Sequence, residues 1–293
     1  MRDLLYPVPE EDEGKKLSAV LRSRMHLSNR QISHLKFSGG IFLDSDCVHT
    51  GVFVHAGQTV RVCLRDQGQQ LVPYAFPVNI VYCDEDVLVV DKAAPLPSIR
   101  SVHQDEKTLE NAVYAHFGCP EDFIYRPVSR LDKGTSGLMP IARNAFAHDR
   151  MQRALHTENY VREYLAVTEC APKEDAGVID LPIGMENGVK RKIDPEGKPA
   201  VTHYRVLEHF KNGRALIRLR LETGRTHQIR VHLSAQGCPI VGDFLYGEET
   251  DELPGRFALH AAYLSFAHPV TGERITLESE LPPDLQRLLE NKK

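Results

Sequence analysis

Apolar residues at Leu17, Val20 and Leu21 recur at helical spacing and predict a first short helix. Ser28 offers a cap for a second helix, running through Ile32 and Leu35 toward Gly39 and Gly40. Short β-prone runs follow at Ile41–Leu43, Val52–Val54 and Thr59–Leu64. The segment 14–66 thus reads as helix, helix and small sheet. It is short enough to be marginal unless well packed or bound to a partner. Residues 67–77 continue the polar, proline-bearing run that starts at Asp66, and read as a linker.

A larger unit, 78–293, begins with two β-rich runs, Val78–Tyr82 and Val87–Val90, around the charged turn Asp84-Glu85-Asp86. That arrangement predicts a hairpin. Thr108 can cap a helix from Leu109 to Phe117, and Asn144 another carrying Ala147, Met151, Ala154 and Leu155 on one face. Ala215, Ile217, Leu219 and Leu221 alternate with Leu216, Arg218, Arg220 and Glu222, as in a half-exposed strand. Thr226 can cap a helix through Ile229 and Leu233 to Gly237. Strands and helices mix without a regular β-α-β rhythm. The expected class is therefore α+β, with a mixed, largely antiparallel sheet flanked by helices and preceded by a small α/β-type module.

Composition narrows the function. Of 293 residues 42% are hydrophobic and 26% charged, enough for a packed core. Lys plus Arg is 36 against 40 Asp plus Glu, a net charge of -4, so bulk positive charge cannot hold a nucleic acid. The charge is segregated, however. Residues 15–43 hold six basic side chains, Arg22, Arg24, Arg30 and Lys36 among them, and no acid. Residues 126–155 hold six against two acids, and residues 211–233 six against one. A polyanion-binding face has this character. No apolar run is long enough to span a membrane, and the amino end lacks the apolar core of a secretory signal. The six cysteines are scattered, with no C-x-x-C pair, so reduced thiols in a cytoplasmic protein are expected rather than zinc or disulfides.

Two clusters could carry chemistry. In Arg126-Pro-Val-Ser-Arg-Leu-Asp-Lys-Gly-Thr-Ser-Gly137, Asp132 lies near Arg130, Lys133 and Thr135, among small residues that permit tight turns. A neighbouring cation would keep such a carboxylate ionised. An acid that merely caps a loop turn fits the spacing at least as well. In Thr223-Gly-Arg-Thr-His-Gln-Ile-Arg-Val-His-Leu233, a helix capped by Thr226 brings His227, Arg230 and Ser234 to adjacent turns of one face. His227, Gln228, Arg230 and His232 suit phosphate, base or carboxylate contacts, and equally a solvated face. His227 and His232 are five apart with no acid between, so no metal is expected. The nucleotide-phosphate loops and the serine-nucleophile elbow are missing. Tyr164 sits in a strand-like run and by itself reads as packing.

The stretch Arg130-Leu-Asp-Lys-Gly-Thr-Ser-Gly-Leu138 resembles the catalytic motif of RluA-type RNA pseudouridine synthases. The resemblance runs from about Val78 to Leu285. It takes in Tyr82-x-Asp84-Glu-Asp86, Tyr164-Leu-Ala-Val, Leu221 to Leu233, Gly242-Asp243-x-x-Tyr246-Gly and Leu259-His-Ala through His268-Pro. Ser129 stands where the family has His, and Cys238 stands in its Gly-His-Pro. Residues 14–66 look like the RNA-binding module named after ribosomal protein S four. The resemblance implies isomerisation of uridine to pseudouridine in RNA without a cofactor. It implies Asp132, Tyr164 and Arg230 as catalytic residues, with Asp132 kept charged by Arg230 and Tyr164 on the base. It implies Arg130, Thr135, Arg225, His227 and Gln228 as substrate contacts, and Arg22, Arg24, Arg30 and Lys36 as the grip of the front module on RNA. The expected partner is ribosomal rather than transfer RNA, the expected state a monomer. A non-catalytic RNA-binding protein and a glycoside hydrolase are the rival readings. The second normally needs two carboxylates facing the bond, where the motif clusters offer one acid amid arginines.

Overall fold

The structure, a computed structural model, describes residues 2–64, 68–101 and 106–290. Asp66 and Gln67, at the expected boundary, and 291–293, at the end of the expected second unit, lie outside the described residues.

The chain opens with β1 (Arg2–Pro7), α1 (Leu17–Ser23), α2 (Asn29–Ser38), β2 (Ile41–Leu43), β3 (Asp46–Cys47) and β4 (Thr59–Leu64). These strands form a four-stranded antiparallel sheet in the order β1-β4-β2-β3. Leu17, Val20, Leu21, Leu35, Val60 and Val62 make its core with the two helices. Ser28 caps α2 in a reciprocal capping box with Gln31, and Gly39 closes the helix in the left-handed region at φ 68°. Two features differ from the sequence expectation. The edge strand β1 precedes residue 14, where the front unit was expected to begin. Val52–Val54 is not a strand. Its backbone meets the incoming chain in one isolated antiparallel bridge, Phe53 opposite Lys16, through Leu17 N–H to Val52 O at 2.8 Å and Val54 N–H to Lys15 O at 3.0 Å.

The larger unit holds β5 (Asn79–Cys83), β6 (Val87–Lys92), α3 (Leu109–His116), β7 (Arg126–Pro127), β8 (Ser136–Ala142), α4 (Ala145–Ala154) and β9 (Val161–Thr168). It continues through β10 (Ala176–Asp180), β11 (Ile183–Asn187), β12 (Lys190–Ile193), β13 (Val201–His209) and β14 (Ala215–Leu221). Then come α5 (Gln228–Ala235), β15 (Leu259–Ala267), β16 (Arg274–Glu278) and α6 (Pro283–Glu290). A ten-stranded sheet runs β10-β13-β14-β9-β15-β8-β6-β5, with β16 on β15 and β7 on β8. Among the described residues its β15–β8 pair alone is parallel, so the mixed, largely antiparallel α+β architecture is the one the patterning predicts. That pair is held close by Gly137, at φ 108°, where a Cβ would stand 2.3 Å from Ala261 O. The chain thereby enters the middle of the sheet directly after the loop that carries Asp132. Thr108 and Asn144 cap α3 and α4 as their sequence positions predict. Phe146 of α4 packs in the front core, and Gln31 Nε2 donates to Ala145 O at 3.1 Å, joining the two units.

Candidate active site

The Asp132 loop is pinned from below. Ser98 Oγ donates to Leu131 O at 2.5 Å and accepts from Leu131 N–H at 3.3 Å. Leu96 N–H donates to Lys133 O, and Thr135 N–H closes a turn on Asp132 O. Lys92, 1% exposed, points its Nζ at the carbonyls of Leu96 (2.8 Å) and Ala93 (3.0 Å). Burial, with the Arg256 charge nearby, pulls its ammonium down to about 7, and Asp132 acts against that shift.

From the other side α5 brings Arg230. Thr226 does not cap this helix. His227 occupies the cap in the left-handed region at φ 60°, with no side-chain cap bond. Gln228 organises the entry instead: its Oε1 accepts from Thr223 Oγ1 at 2.8 Å and from Arg225 N–H at 2.9 Å, and its Nε2 donates to Val201 O and Thr202 Oγ1, both at 3.0 Å. Gln228 is 3% exposed with all of these bonds internal, so its amide serves the scaffold. The sequence expectation that His227, Arg230 and Ser234 share a face is met around Tyr246. His227 Nδ1 lies 2.9 Å from its hydroxyl, Ser234 Oγ donates to its carbonyl, and Arg230 stands 5.0 Å over its ring.

Arg230 Nη1 reaches Asp132 Oδ2 at 3.3 Å. Its Nε and Nη2 hold both oxygens of Asp243 at 2.7 Å, and Phe257 covers its face at 4.1 Å. Burial opposes the guanidinium charge, but Asp243 and then Asp132 outweigh it and hold Arg230 above its ordinary value. His227 Nε2 is 3.9 Å from Asp132; burial lowers its pKa against the pull of that carboxylate. Tyr164, on β9 and 7% exposed, has its pKa raised by burial, so it is a neutral phenol.

One cavity of about 590 Å³ is lined by Asp132, Tyr164, Arg230, Arg130, Thr135, Arg225, His227 and Gln228. Arg130 is exposed at its rim, while Thr135 is buried in its wall. Arg225 also donates from Nε to Pro199 O at 2.9 Å. Arg22, Arg24, Arg30 and Lys36 lie on the front unit, outside that lining. Arg24 is engaged there with Asp12 and Glu11, Arg22 donates to Ser18 O, and Arg30 and Lys36 are exposed. The basic run 211–233 is divided by its strand. Arg214 pairs with Glu169 and Glu252, and Arg218 and Arg220 point outward from β14; Arg225 and Arg230 reach the cavity.

Sequence reasoning gave no role to Asp243, which stands in a resembling stretch, or to Lys92 and Ser98. The chemical signal for the first two was a charged residue inside an otherwise apolar run, an arrangement that demands a buried partner. Outside the cavity, Asp84, Asp86 and His268 bring one donor each to within 4.8 Å of one another. His268 Nδ1 accepts from Val270 N–H and Thr271 N–H, and its buried Nε2 stands 2.9 Å from Asp84 with no hydrogen-bond partner among the described residues. The group lies between the turn before β6 and the end of β15. Among the described residues no helix is long and apolar enough to cross a membrane.

A largely antiparallel sheet with a cleft built on an Asp loop and a buried Arg defines the class, and sequence comparison agrees with it. Residues 86–235 match the RNA pseudouridylate synthase family, to which the chain belongs. It is 37% identical to ribosomal large subunit pseudouridine synthase D of Vibrio cholerae, over 97% of this chain and 93% of the relative. It is 38% identical to the protein of the same name from Xanthomonas campestris, over 96% and 90%. Among solved structures it resembles human RNA Pseudouridylate Synthase Domain Containing 4, with a TM-score of 0.58 and 27% identity over 72% of this chain and 92% of that one. The protein is an RNA pseudouridine synthase, an isomerase.

Proposed function

We propose that Asp132 is the catalytic carboxylate of this synthase and that its substrate is ribosomal RNA. The observation that carries the first part is Asp132 itself, in a cavity with Tyr164 and 3.3 Å from a buried arginine. Isomerisation breaks the bond between the ribose anomeric carbon and base nitrogen 1, turns the base, and joins carbon 5 in its place. Atoms and electrons balance within the nucleoside. The Asp132 carboxylate acts on the uridine as nucleophile or general base. Arg230, 3.3 Å away, holds it in place inside the cavity. Tyr164 stacks on the base and, as a neutral phenol, serves proton transfer at carbon 5. A uridine in folded RNA must first leave its stack, and Arg130 at the rim fills the gap or holds a flanking phosphate. Thr135, Arg225 and His227 line the path, with Gln228 holding the turn between the last two.

The second part is supported by the names of the relatives, which act on the large ribosomal subunit. Residues 14–66 serve as the S-four-like RNA-binding module, 67–77 as linker and 78–293 as the catalytic unit of a cytoplasmic monomer. Arg22, Arg30 and Lys36 contact structured RNA by its phosphates.

The test maps pseudouridine in ribosomal and transfer RNA from cells with and without the protein, and with Asp132→Asn. Sites in ribosomal RNA should vanish in both, while the purified variant keeps near-normal RNA affinity. An unchanged ribosomal map, or a variant that still converts uridine, overturns the proposal. Release of free uracil would favour the hydrolase.

A further inference from the structure

The strand that carries Tyr164 turns a second polar side chain the same way. Residues two apart on a strand share a face, so Arg162 stands beside Tyr164 and Ala166 on the inward side of β9. It is 5% exposed and lines the Asp132 cavity. Neither its Nε nor its Nη2 has a hydrogen-bond partner among the described residues. Neighbouring carboxylates face other groups: Glu163 is turned toward Arg218 at 3.9 Å, and Asp132 is held by Arg230. The Tyr160 ring, 5.9 Å from the guanidinium carbon, is a distant contact. An arginine cannot shed its charge, and a buried one without a partner destabilises the fold. Such a group is explained by an anion that arrives later.

The shape of the opening says which anion. Nε and Nη2 lie on one edge of the guanidinium, the edge with which Arg230 grips both oxygens of Asp243. That edge fits two oxygens on one centre, as a phosphodiester offers; a uracil ring offers a single carbonyl oxygen to it. Two strand residues, about 7 Å, separate Arg162 from Tyr164, so its partner lies beyond the base that Tyr164 meets. Gly224 lets the guanidinium lie close against its backbone on the other side: a Cβ on it would stand 3.0 Å from Arg162 Nη1. We infer that Arg162 binds a backbone phosphate next to the uridine in the cavity. The inference rests on the reading of this cavity as the uridine site.

The experiment uses the full-length protein, an RNA oligonucleotide spanning a uridine found by the mapping above, and two versions with a neutral methylphosphonate at the linkage before or after that uridine. Arg162→Met should raise KM for the natural RNA by about 10- to 100-fold, with a smaller change in kcat, and Arg162→Lys should recover part of it. The Tm of Arg162→Met without RNA should rise, because an unpaired buried charge is gone. One methylphosphonate should weaken the wild type by about the same factor and weaken Arg162→Met no further. An unchanged KM, with or without a fall in Tm, makes Arg162 scaffold and overturns the inference. A loss confined to kcat, or losses that add at both linkages, places the guanidinium elsewhere and also overturns it. A wild type that converts no uridine in the natural oligonucleotide instead overturns the reading of the cavity.

Discussion

Arg230 grips Asp243 through two nitrogens at 2.7 Å, both partners buried, and leaves only Nη1 for Asp132 at 3.3 Å. The buried acid thus fixes the guanidinium, and the cavity acid meets a partner already in place. Asp243→Leu should cost about 3–5 kcal/mol of stability, because it strands a buried charge. The double variant Arg230→Met with Asp243→Leu should be more stable than Asp243→Leu alone and still convert uridine at least about 100-fold more slowly than wild type. Urea unfolding beside single-turnover conversion reads both. A double variant that regains activity would show that Arg230 is not needed to hold Asp132.

Ser98 fixes the backbone of the same loop from beneath, through the N–H and the carbonyl of Leu131. Ser98→Ala leaves both groups buried without that partner, at a cost of about 1–3 kcal/mol. Since Ser98 acts through the position of Asp132, kcat should fall while KM for RNA holds. A rise in KM alone would instead place Ser98 against the substrate.

Strand periodicity and helix caps made β5, β6, β9 and β14 of the large sheet and the helices α1 to α5 legible in the sequence, and the caps Ser28, Thr108 and Asn144 act locally. The β1 strand was not legible, because Arg2–Pro7 carries no clean alternation and its pairing with β4 is distant in sequence. Thr226 failed as a cap because His227 adopts a left-handed backbone and takes the cap position itself, a conformation uncommon for any residue but glycine. The cluster of Asp132, Tyr164 and Arg230 was reached through motif resemblance alone. Tyr164 and Arg230 are separated from Asp132 by 32 and 98 residues, and only the fold brings them to one cavity. Arg162 could have been found: it stands on the face that Tyr164 and Ala166 assign to the core.

Two buried histidines contribute to the response to acid. His232 lies between Thr202 Oγ1 and Leu181 O, each at 2.9 Å, and His260 between Ser136 Oγ at 2.9 Å and Ser279 O at 3.2 Å. Each nitrogen facing a carbonyl must carry the proton, and burial holds both rings below the ordinary histidine value, that is, neutral. In the unfolded chain they protonate as pH falls through about 6.5. Below that pH the unfolded state binds more protons, so their stabilisation is complete above it and lost as pH drops. Stability should fall from pH 6.5 to 5 by up to about 1.4 kcal/mol per pH unit for each ring. His232→Gln, which keeps a donor for Leu181, should show a shallower slope in urea midpoints across that range. An identical slope would remove His232 from the account.

The front unit separates basic residues that build it from those left exposed on its surface. Asp12 accepts from Tyr6, from Lys15 at 2.5 Å and from Arg24 at 2.8 Å, and those bonds hold its carboxyl well below the usual carboxylate range. Arg24 is thereby tied to the loop before α1, whereas Arg30 and Lys36 stand exposed on α2. Arg24→Met should lower Tm and leave the salt dependence of RNA binding near that of wild type. Arg30→Ala and Lys36→Ala should leave Tm unchanged, weaken binding, and each reduce the slope of log affinity against log salt by about 1. Binding to a ribosomal RNA fragment at several salt concentrations decides it. Unchanged slopes for Arg30→Ala and Lys36→Ala would remove α2 from the RNA interface.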